Sequence, residues 1–340
     1  MNSIKVLNFK LWLLAFSFVF FALTLSGCNG PLPSKIDFSD SVSVDSLKPQ
    51  AMRIIREGLA DNNPRVRTNA IEVVASTKTI TLMPLVQLLL KDDFVPVRFA
   101  AALAVGDVQY RLAERQVRAL LQDEDENVRI AAAYALGRLG YPENFEIIRK
   151  AAASSDQTVR ANAVVLLGKT GDKNNLNLLY WALRDRDSDD RVRLQAVEAI
   201  ARLGDEQIFP KLWAMLISAY ADDRVMGVKA VGALGTEKAK DVLITKLDDD
   251  VLEIRLAAAE QLGMLGNTAG EQEVLKVFSE KLTADLDKQS RERVHIWTAL
   301  AIGRIGTARL VKFLPQLLKD ESKFVRVAAA KAVFHCTMRN

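Results

Sequence analysis

The stretch from Asp123 to Gly140, DEDENVRIAAAYALGRLG, recurs along nearly the whole chain. We take Arg129 of this stretch as the reference. Its equivalents in the other copies form a column: Arg67, Arg98, Arg129, Arg160, Arg193, Arg224, Arg255, His295 and Arg326. Successive members of this column are 31 residues apart, except for one step of 33 and one of 40. A period of this length is typical of a solenoid, in which each repeat buries its apolar face against the next repeat.

Each unit contains two apolar stripes at helical spacing, separated by a short polar turn. In the third unit, residues 111–122 carry the first stripe and residues 128–139 carry the second. A glycine such as Gly137 permits close packing between second helices, and Gly140 ends its helix. The pattern predicts an all-α, right-handed α-solenoid of about nine helix-turn-helix repeats that spans residues 46–340.

Several units depart from the pattern. Ala75 and Lys78 replace the two glycines in the first unit, and Phe334 and Thr337 replace them in the ninth, which is expected of capping repeats at the two ends of an array. In the sixth unit Asp223 and Gly227 replace valine and alanine, which weakens the register. Nine extra residues between Arg255 and His295 predict a longer first helix in the eighth unit.

The first 27 residues have the features of a signal peptide, because Lys5 and Lys10 precede an apolar run at residues 11–25. The following Leu25-Ser26-Gly27-Cys28 resembles the lipobox of bacterial lipoproteins. That resemblance implies that Cys28 receives acyl chains and anchors the protein to a membrane of the cell envelope. Asn29 after the cysteine favours the periplasmic leaflet of the outer membrane over the inner membrane. The alternative is an ordinary signal peptide, or a membrane helix, beside an incidental cysteine.

Residues 28–45 contain glycine, proline and several serines without helical periodicity, and we expect a flexible tether there.

The mature chain carries a formal charge of about +4 − 2 = +2, since the leader holds two of the lysines. A nearly neutral chain of this size does not predict binding to nucleic acid.

The repeat resembles the short HEAT-like repeat named after phycobilisome lyases, over residues 46 to 338. The resemblance implies a ladder in which turn aspartates pair with the arginine column of a neighbouring repeat. The aspartates that match, six residues before the reference position, are Asp61, Asp92, Asp123, Asp187, Asp249 and Asp320. We expect Arg160, in the middle of the array, to be more buried than Arg67 at its end.

The sequence predicts a non-enzymatic protein with no cofactor and no metal. It holds two histidines and two cysteines, and it lacks the His-Glu pairs of deoxyhypusine hydroxylases, which are HEAT-like di-iron enzymes. It also lacks HExxH, a glycine-rich phosphate loop and GxSxG. The acidic turns do not follow calcium-loop spacing, and Cys336 is expected to be a small apolar residue of the last helix.

Candidate binding residues lie two, five and nine positions after the reference, on the face of each second helix opposite the apolar stripe. One group is a basic row, Arg138, Lys169 and Arg202, flanked by Tyr134. The other group is apolar: Met226, Met264, Trp297 and Leu300. Interfaces are enriched in such anchors, although a solvated basic row and a Trp297 packed on its neighbouring helix would leave the same pattern.

The function predicted from these features is a lipid-anchored scaffold that holds a protein or peptide along its concave face. The alternative is an envelope enzyme, or an enzyme accessory of the HEAT-like lyase type, whose site the sequence does not disclose.

Overall fold

A computed structural model describes residues 43–338, which form helices joined by short turns, with no strand in this range. The helices are α1 (Val44–Leu59), α2 (Pro64–Ser76), α3 (Met83–Leu88), α4 (Val95–Asp107), α5 (Glu114–Ala119), α6 (Glu126–Arg138), α7 (Phe145–Ala151), α8 (Gln157–Lys169), α9 (Leu176–Arg184), α10 (Asp190–Arg202), α11 (Phe209–Leu216), α12 (Ala221–Leu234), α13 (Glu237–Thr245), α14 (Leu252–Met264), α15 (Glu271–Ser279), α16 (Lys288–Ile305), α17 (Ala308–Val311), α18 (Leu314–Leu317) and α19 (Lys323–Thr337). The predicted all-α solenoid of helix pairs is confirmed.

The predicted signal peptide, Cys28 and nearly all of the tether lie outside the described residues. Val44 and Asp45, which we assigned to the tether, are already in α1. Within residues 43–338, no helix has the length and apolar character needed to cross a bilayer.

The second helices α2, α4, α6, α8, α10, α12, α14, α16 and α19 pack side by side through small residues. A Cβ atom on Gly168 would lie 2.7 Å from the Cβ of Ala199 on the next second helix. Real Cβ atoms do not approach so closely, so glycine is required at this position. Gly140 has a φ of 109° and ends its helix in the left-handed region, as the sequence predicted.

The array closes on itself, because α19 packs against both α1 and α2. Ile55 of α1 and Val327 of α19 belong to one buried apolar cluster, and Lys323 Nζ lies 2.7 Å from Asp61 Oδ2. The expectation of two capped, open ends is therefore wrong. The apolar face of the first repeat is covered by the last repeat, which is the neighbour that an open array would lack.

An ion-pair ladder joins consecutive repeats, as the resemblance implied. Each of its members reaches a carboxylate 25 residues further along the chain: Arg67–Asp92, Arg98–Asp123, Arg160–Asp185, Arg224–Asp249 and His295–Asp320. In the Arg67 pair, Nε and Nη2 each donate to a different carboxylate oxygen over 2.8 Å. These contacts join the first three repeats to one another, the fourth to the fifth, the sixth to the seventh and, through His295, the eighth to the ninth.

Asp187 was the wrong ladder residue for the fifth repeat, since Arg160 pairs with Asp185. The step of 33 residues at this point shifts the turn relative to the reference column. Arg129 has no ladder carboxylate, because Ser154 stands where the fourth repeat would supply one. Its nearest acidic partner is Glu126, 3.9 Å away on the same helix.

Two further expectations change with the structure. The sixth repeat pairs with the seventh through Arg224 and Asp249, but Ser218 stands where a carboxylate would meet Arg193 of the fifth. Asp223 accepts a hydrogen bond from the Ser218 hydroxyl over 2.7 Å. The extra residues of the eighth unit do not lengthen its first helix, α15. They form the turn at residues 280–287 and the start of α16, which runs for 18 residues where α14 has 13.

The ladder gives a stability prediction. Arg67 and Asp92 side chains are 11% and 9% exposed, so Arg67 is nearly as buried as Arg160 and not the exposed end that we expected. We predict that Arg67→Ala lowers the free energy of unfolding by about 3–5 kcal/mol, because it leaves a buried carboxylate unpaired. This loss should be comparable with that of Arg160→Ala.

Arg129→Ala is the matched control, since Arg129 and Arg67 both donate to the carbonyl of the aspartate six residues earlier. Urea melts of the three variants make the comparison. Equal losses in Arg67→Ala and Arg129→Ala would show that the inter-repeat carboxylate contributes nothing.

Candidate binding surface on the inner face

Side chains from the three predicted columns meet across repeats that are not sequence neighbours. Lys169 Nζ in the fourth repeat lies 2.8 Å from Asp107 Oδ2 in the second repeat. Lys229 Nζ in the sixth repeat lies 5.0 Å from the ring centroid of Trp297 in the eighth. Contacts that pass over an intervening repeat require these columns to face inward on a curved array, and we call this surface the inner face.

Tyr134 is buried, with only 2% of its surface exposed. Its hydroxyl donates to Asp107 Oδ1 over 2.7 Å, while Lys169 donates to the other oxygen of the same carboxylate. Burial and the Asp107 carboxylate together raise the pKa of Tyr134 well above its ordinary range. Tyr134 therefore stays neutral and holds Asp107 in place beneath the inner face.

The basic row is partly neutralised. Lys169 is paired with Asp107, and Arg202 Nη2 lies 2.5 Å from Glu198 Oε1 one turn earlier on α10. Arg138 forms no ion pair within residues 43–338, but its charge lowers the pKa of Tyr134 slightly against the larger effect of burial. The row is a network of both signs rather than a strip of free cations.

The four apolar candidates have different environments. Met264 is exposed, at 48% of its surface, whereas Met226, Trp297 and Leu300 are half-buried. Trp297 packs against the buried core below the inner face. Leu300 lines a hollow of about 150 Å³ at the closure, together with Phe324 and the Lys331–Glu72 pair.

Two carboxyl groups on the inner face have shifted pKa values. Burial would raise the pKa of Glu72, but Lys331, Lys229 and Lys169 outweigh burial and hold that pKa below its ordinary value. These lysines come from the ninth, sixth and fourth repeats, and Glu72 comes from the first. Burial raises the pKa of Glu260, and Lys331, Lys229 and Arg304 offset this only in part.

One cavity on the inner face was not predicted from the sequence. It has a volume of about 470 Å³ and spans the first five repeats, with Phe99, Leu103 and Ile71 in its wall and Arg191 at its edge. Leu103 is in a predicted column, but Phe99 and Arg191 are not. Their positions relative to the reference, one after and two before, carry no signal until the curvature is known.

His295 and Cys336 both belong to the packed framework of the repeats. His295 Nδ1 lies 2.8 Å from Asp320 Oδ2 within the ladder. Cys336 is buried in α19, as expected, with its Sγ 3.7 Å from the carbonyl oxygen of Ile302. Residues 43–338 contain no cluster of three or more histidine, cysteine, aspartate or glutamate side chains able to hold a metal.

The raised pKa of Glu260 gives a pH prediction. The folded chain holds the Glu260 proton more tightly than the unfolded chain does, so this group lowers stability as pH rises above its ordinary value of 4.5. We expect Glu260→Gln to stabilise the protein at pH 7, with a gain that shrinks towards pH 4. Thermal melts across this range test the prediction, with Glu237→Gln on the exposed start of α13 as control. A gain independent of pH would contradict it.

The family of HEAT repeats matches residues 82–157 and 145–231. No curated protein matches the chain. Among solved structures, human deoxyhypusine hydroxylase in complex with glycerol is 18% identical, with 78% of this chain and 99% of that chain covered and a TM-score of 0.38. The complex of CpcE and CpcF of phycocyanin lyase from Nostoc sp. PCC7120 is 19% identical, with 73% and 93% covered and a TM-score of 0.40.

The structure of Kap121p bound to Nup53p is 15% identical, with 83% of this chain and 37% of that chain covered and a TM-score of 0.34. At these identities the likeness concerns the fold alone. Residues 82–231 match HEAT repeats and helix pairs of the same kind continue on either side of them, which fits a HEAT-like repeat protein.

Proposed function

We propose that this protein is a lipid-anchored, non-enzymatic scaffold of the bacterial cell envelope that binds an acidic, extended segment of a partner protein on its inner face. The observation that carries the proposal is the convergence of side chains from non-adjacent repeats, shown by the Lys169–Asp107 pair and by Lys229 over the Trp297 ring. A surface assembled from so many repeats presents many contact points to one elongated ligand.

The charge balance of the inner face favours an acidic ligand. Its cations are Arg138, Lys169, Arg202, Lys229, Arg304 and Lys331, and its carboxyl groups are Glu72, Asp107, Glu198 and Glu260. The difference is 6 − 4 = +2 when all are ionised, and it is larger when Glu260 holds its proton. Electrostatic complementarity of this kind raises association rates and suppresses partners of the wrong charge.

The spacing of the inner face favours an extended chain over a folded domain. Lys169 of the fourth repeat lies 2.8 Å from Asp107 of the second, and Lys229 of the sixth lies 5.0 Å from the Trp297 ring centroid of the eighth, so side chains two repeats apart touch across this face. A single extended polypeptide fits a surface of this width.

The location is proposed from the sequence alone. The lipobox resemblance at Cys28 and the apolar run before it support an acylated cysteine at the start of the mature protein. A tether of about fifteen residues would let the repeats reach roughly 20 Å from the membrane, at about 5–6 Å × √n.

Neutralising the basic row tests the partner surface. Because Lys169 and Arg202 already contact carboxylates, glutamate at these positions would add repulsion, and glutamine is the better change. We expect Arg138→Gln, Lys169→Gln and Arg202→Gln together to slow association with the partner recovered from an envelope extract, and to flatten its dependence on salt. Asp187→Asn with Asp190→Asn, in the exposed turn before α10 and at its first residue, is the control and should have little effect.

Association rates measured at several ionic strengths test whether the inner face binds the partner. A rate that responds neither to salt nor to the triple change would remove the inner face from the proposal. Recovery of a bound chromophore instead of a stoichiometric protein would favour the enzyme-accessory alternative.

The membrane anchor has its own test. Because acylation would attach through the Cys28 sulfur, we expect Cys28→Ser to abolish incorporation of labelled fatty acid and to release the protein from the membrane fraction. Cys336→Ser is the matched control, since the only other cysteine is buried in α19. Equal labelling of wild type and Cys28→Ser would refute the anchor without touching the partner surface.

A further inference from the structure

The unpredicted cavity on the inner face has the size and lining of a small-molecule site. Its volume of about 470 Å³ lies within the range of about 300–1,000 Å³ typical of ligand pockets. The walls are mainly apolar, formed by Ile71, Val95, Phe99, Leu103 and Ala104. Sites of this kind combine an apolar lining with a few polar groups that orient the ligand.

Polar residues line both ends of the cavity. Asn127, Thr158 and Arg191 come from the N-terminal ends of α6, α8 and α10 and form the polar rim. Asp107 and Lys169 come from the C-terminal ends of α4 and α8 and lie at the opposite end. Apolar residues run along the cavity from Val95 at the start of α4 to Ala104 near its end, so a ligand that spans the cavity meets an apolar wall with polar groups at both ends.

The charges in the lining are balanced except at the rim. Asp107 and Lys169 pair with each other, and Glu72 pairs with Lys331. Asn162 Nδ2 donates to Asn127 Oδ1 over 2.8 Å, so these amides also satisfy each other in part. Arg191 has no carboxylate within ion-pair distance among residues 43–338. The uncompensated charge of the cavity is therefore one guanidinium at the rim.

We infer that this cavity binds a small amphipathic anion. The alkyl chain of the ligand lies along Phe99 and Leu103, and its carboxylate lies at Arg191. Guanidinium groups hold carboxylates through paired, charge-assisted hydrogen bonds, and the apolar wall gains from covering methylene groups. The site differs from the proposed peptide surface in its wall, its rim charge and its occupant, so it stands without the partner.

Calorimetric titration of octanoate, decanoate and dodecanoate into the full chain, below their micelle concentrations, tests the inference. Burial of each CH₂ should tighten binding by about fourfold until the cavity is filled. Dodecanol provides the neutral comparison. No saturable binding, or binding that does not depend on chain length, would overturn the site.

Variants locate the binding. Arg191→Gln should weaken dodecanoate about tenfold and leave dodecanol unchanged, with Arg186→Gln in an exposed turn as control. Ala100→Phe should fill the cavity and weaken both ligands at least tenfold, with Ala119→Phe on the exposed side of α5 as control. All variants share the same N-terminal segment, so any binding to that segment is common to them.

Arg191 is exposed at the start of α10, so Arg191→Gln should leave the melting temperature unaltered. This variant therefore tests the carboxylate site even if Ala100→Phe fails to fold. Equal weakening of dodecanoate and dodecanol by Arg191→Gln would show that no carboxylate sits there. Unchanged binding in both cavity variants would place the ligand elsewhere.

Discussion

A repeat of about thirty residues cannot bury its own apolar face, and every other feature of this protein follows from that constraint. In an open array the two terminal repeats each leave one face uncovered, and capping sequences usually make those faces polar. Here Ile55 and Leu47 of α1 remain apolar, and they are buried because α19 covers them. The curvature of the array brings the last repeat to the first and supplies each end with its missing neighbour.

Closure also explains how the polar interactions are distributed. Asp61 is a ladder aspartate with no preceding repeat in the sequence, and Lys323 of the last repeat pairs with it. Burial would raise the pKa of Asp61, but the Lys323 hydrogen bond and charge hold it below its ordinary value. The carboxylate therefore stays ionised and contributes to closure at neutral pH, and this contribution is lost as pH falls through its pKa.

The parts of the fold that depend on neighbouring residues could be predicted from the sequence. The period, the helix pairs and the left-handed glycine at Gly140 are all local, and the structure has them. Closure could not be predicted, because it depends on a small rotation between repeats summed over the whole array. The choice of Asp185 over Asp187 depends on the path of one turn, which an insertion alters.

The candidate site was predictable to the same degree. Helical geometry identified the columns that face inward, since a residue's direction around a helix follows from its spacing. It could not show that Tyr134 would be covered or that Lys169 would meet Asp107, because both depend on how far the array curves. The cavity beside Phe99 is lined by residues of five second helices, and no single repeat contains a signal for it.

On this surface, cations that pair with a protein carboxylate can be distinguished from cations that do not. Most of the reference-column cations pair with a carboxylate, and Asp107 accepts bonds from both Tyr134 and Lys169. Arg138 and Arg191 form no ion pair among the described residues, so an anionic ligand would not have to displace a protein carboxylate from either of them. Protein sequences keep local choices consistent with the fold and depart from that consistency mainly where function requires it. The two arginines lie on the same concave surface, one in the basic row and one at the cavity rim, and this is where a ligand would supply the missing negative charge.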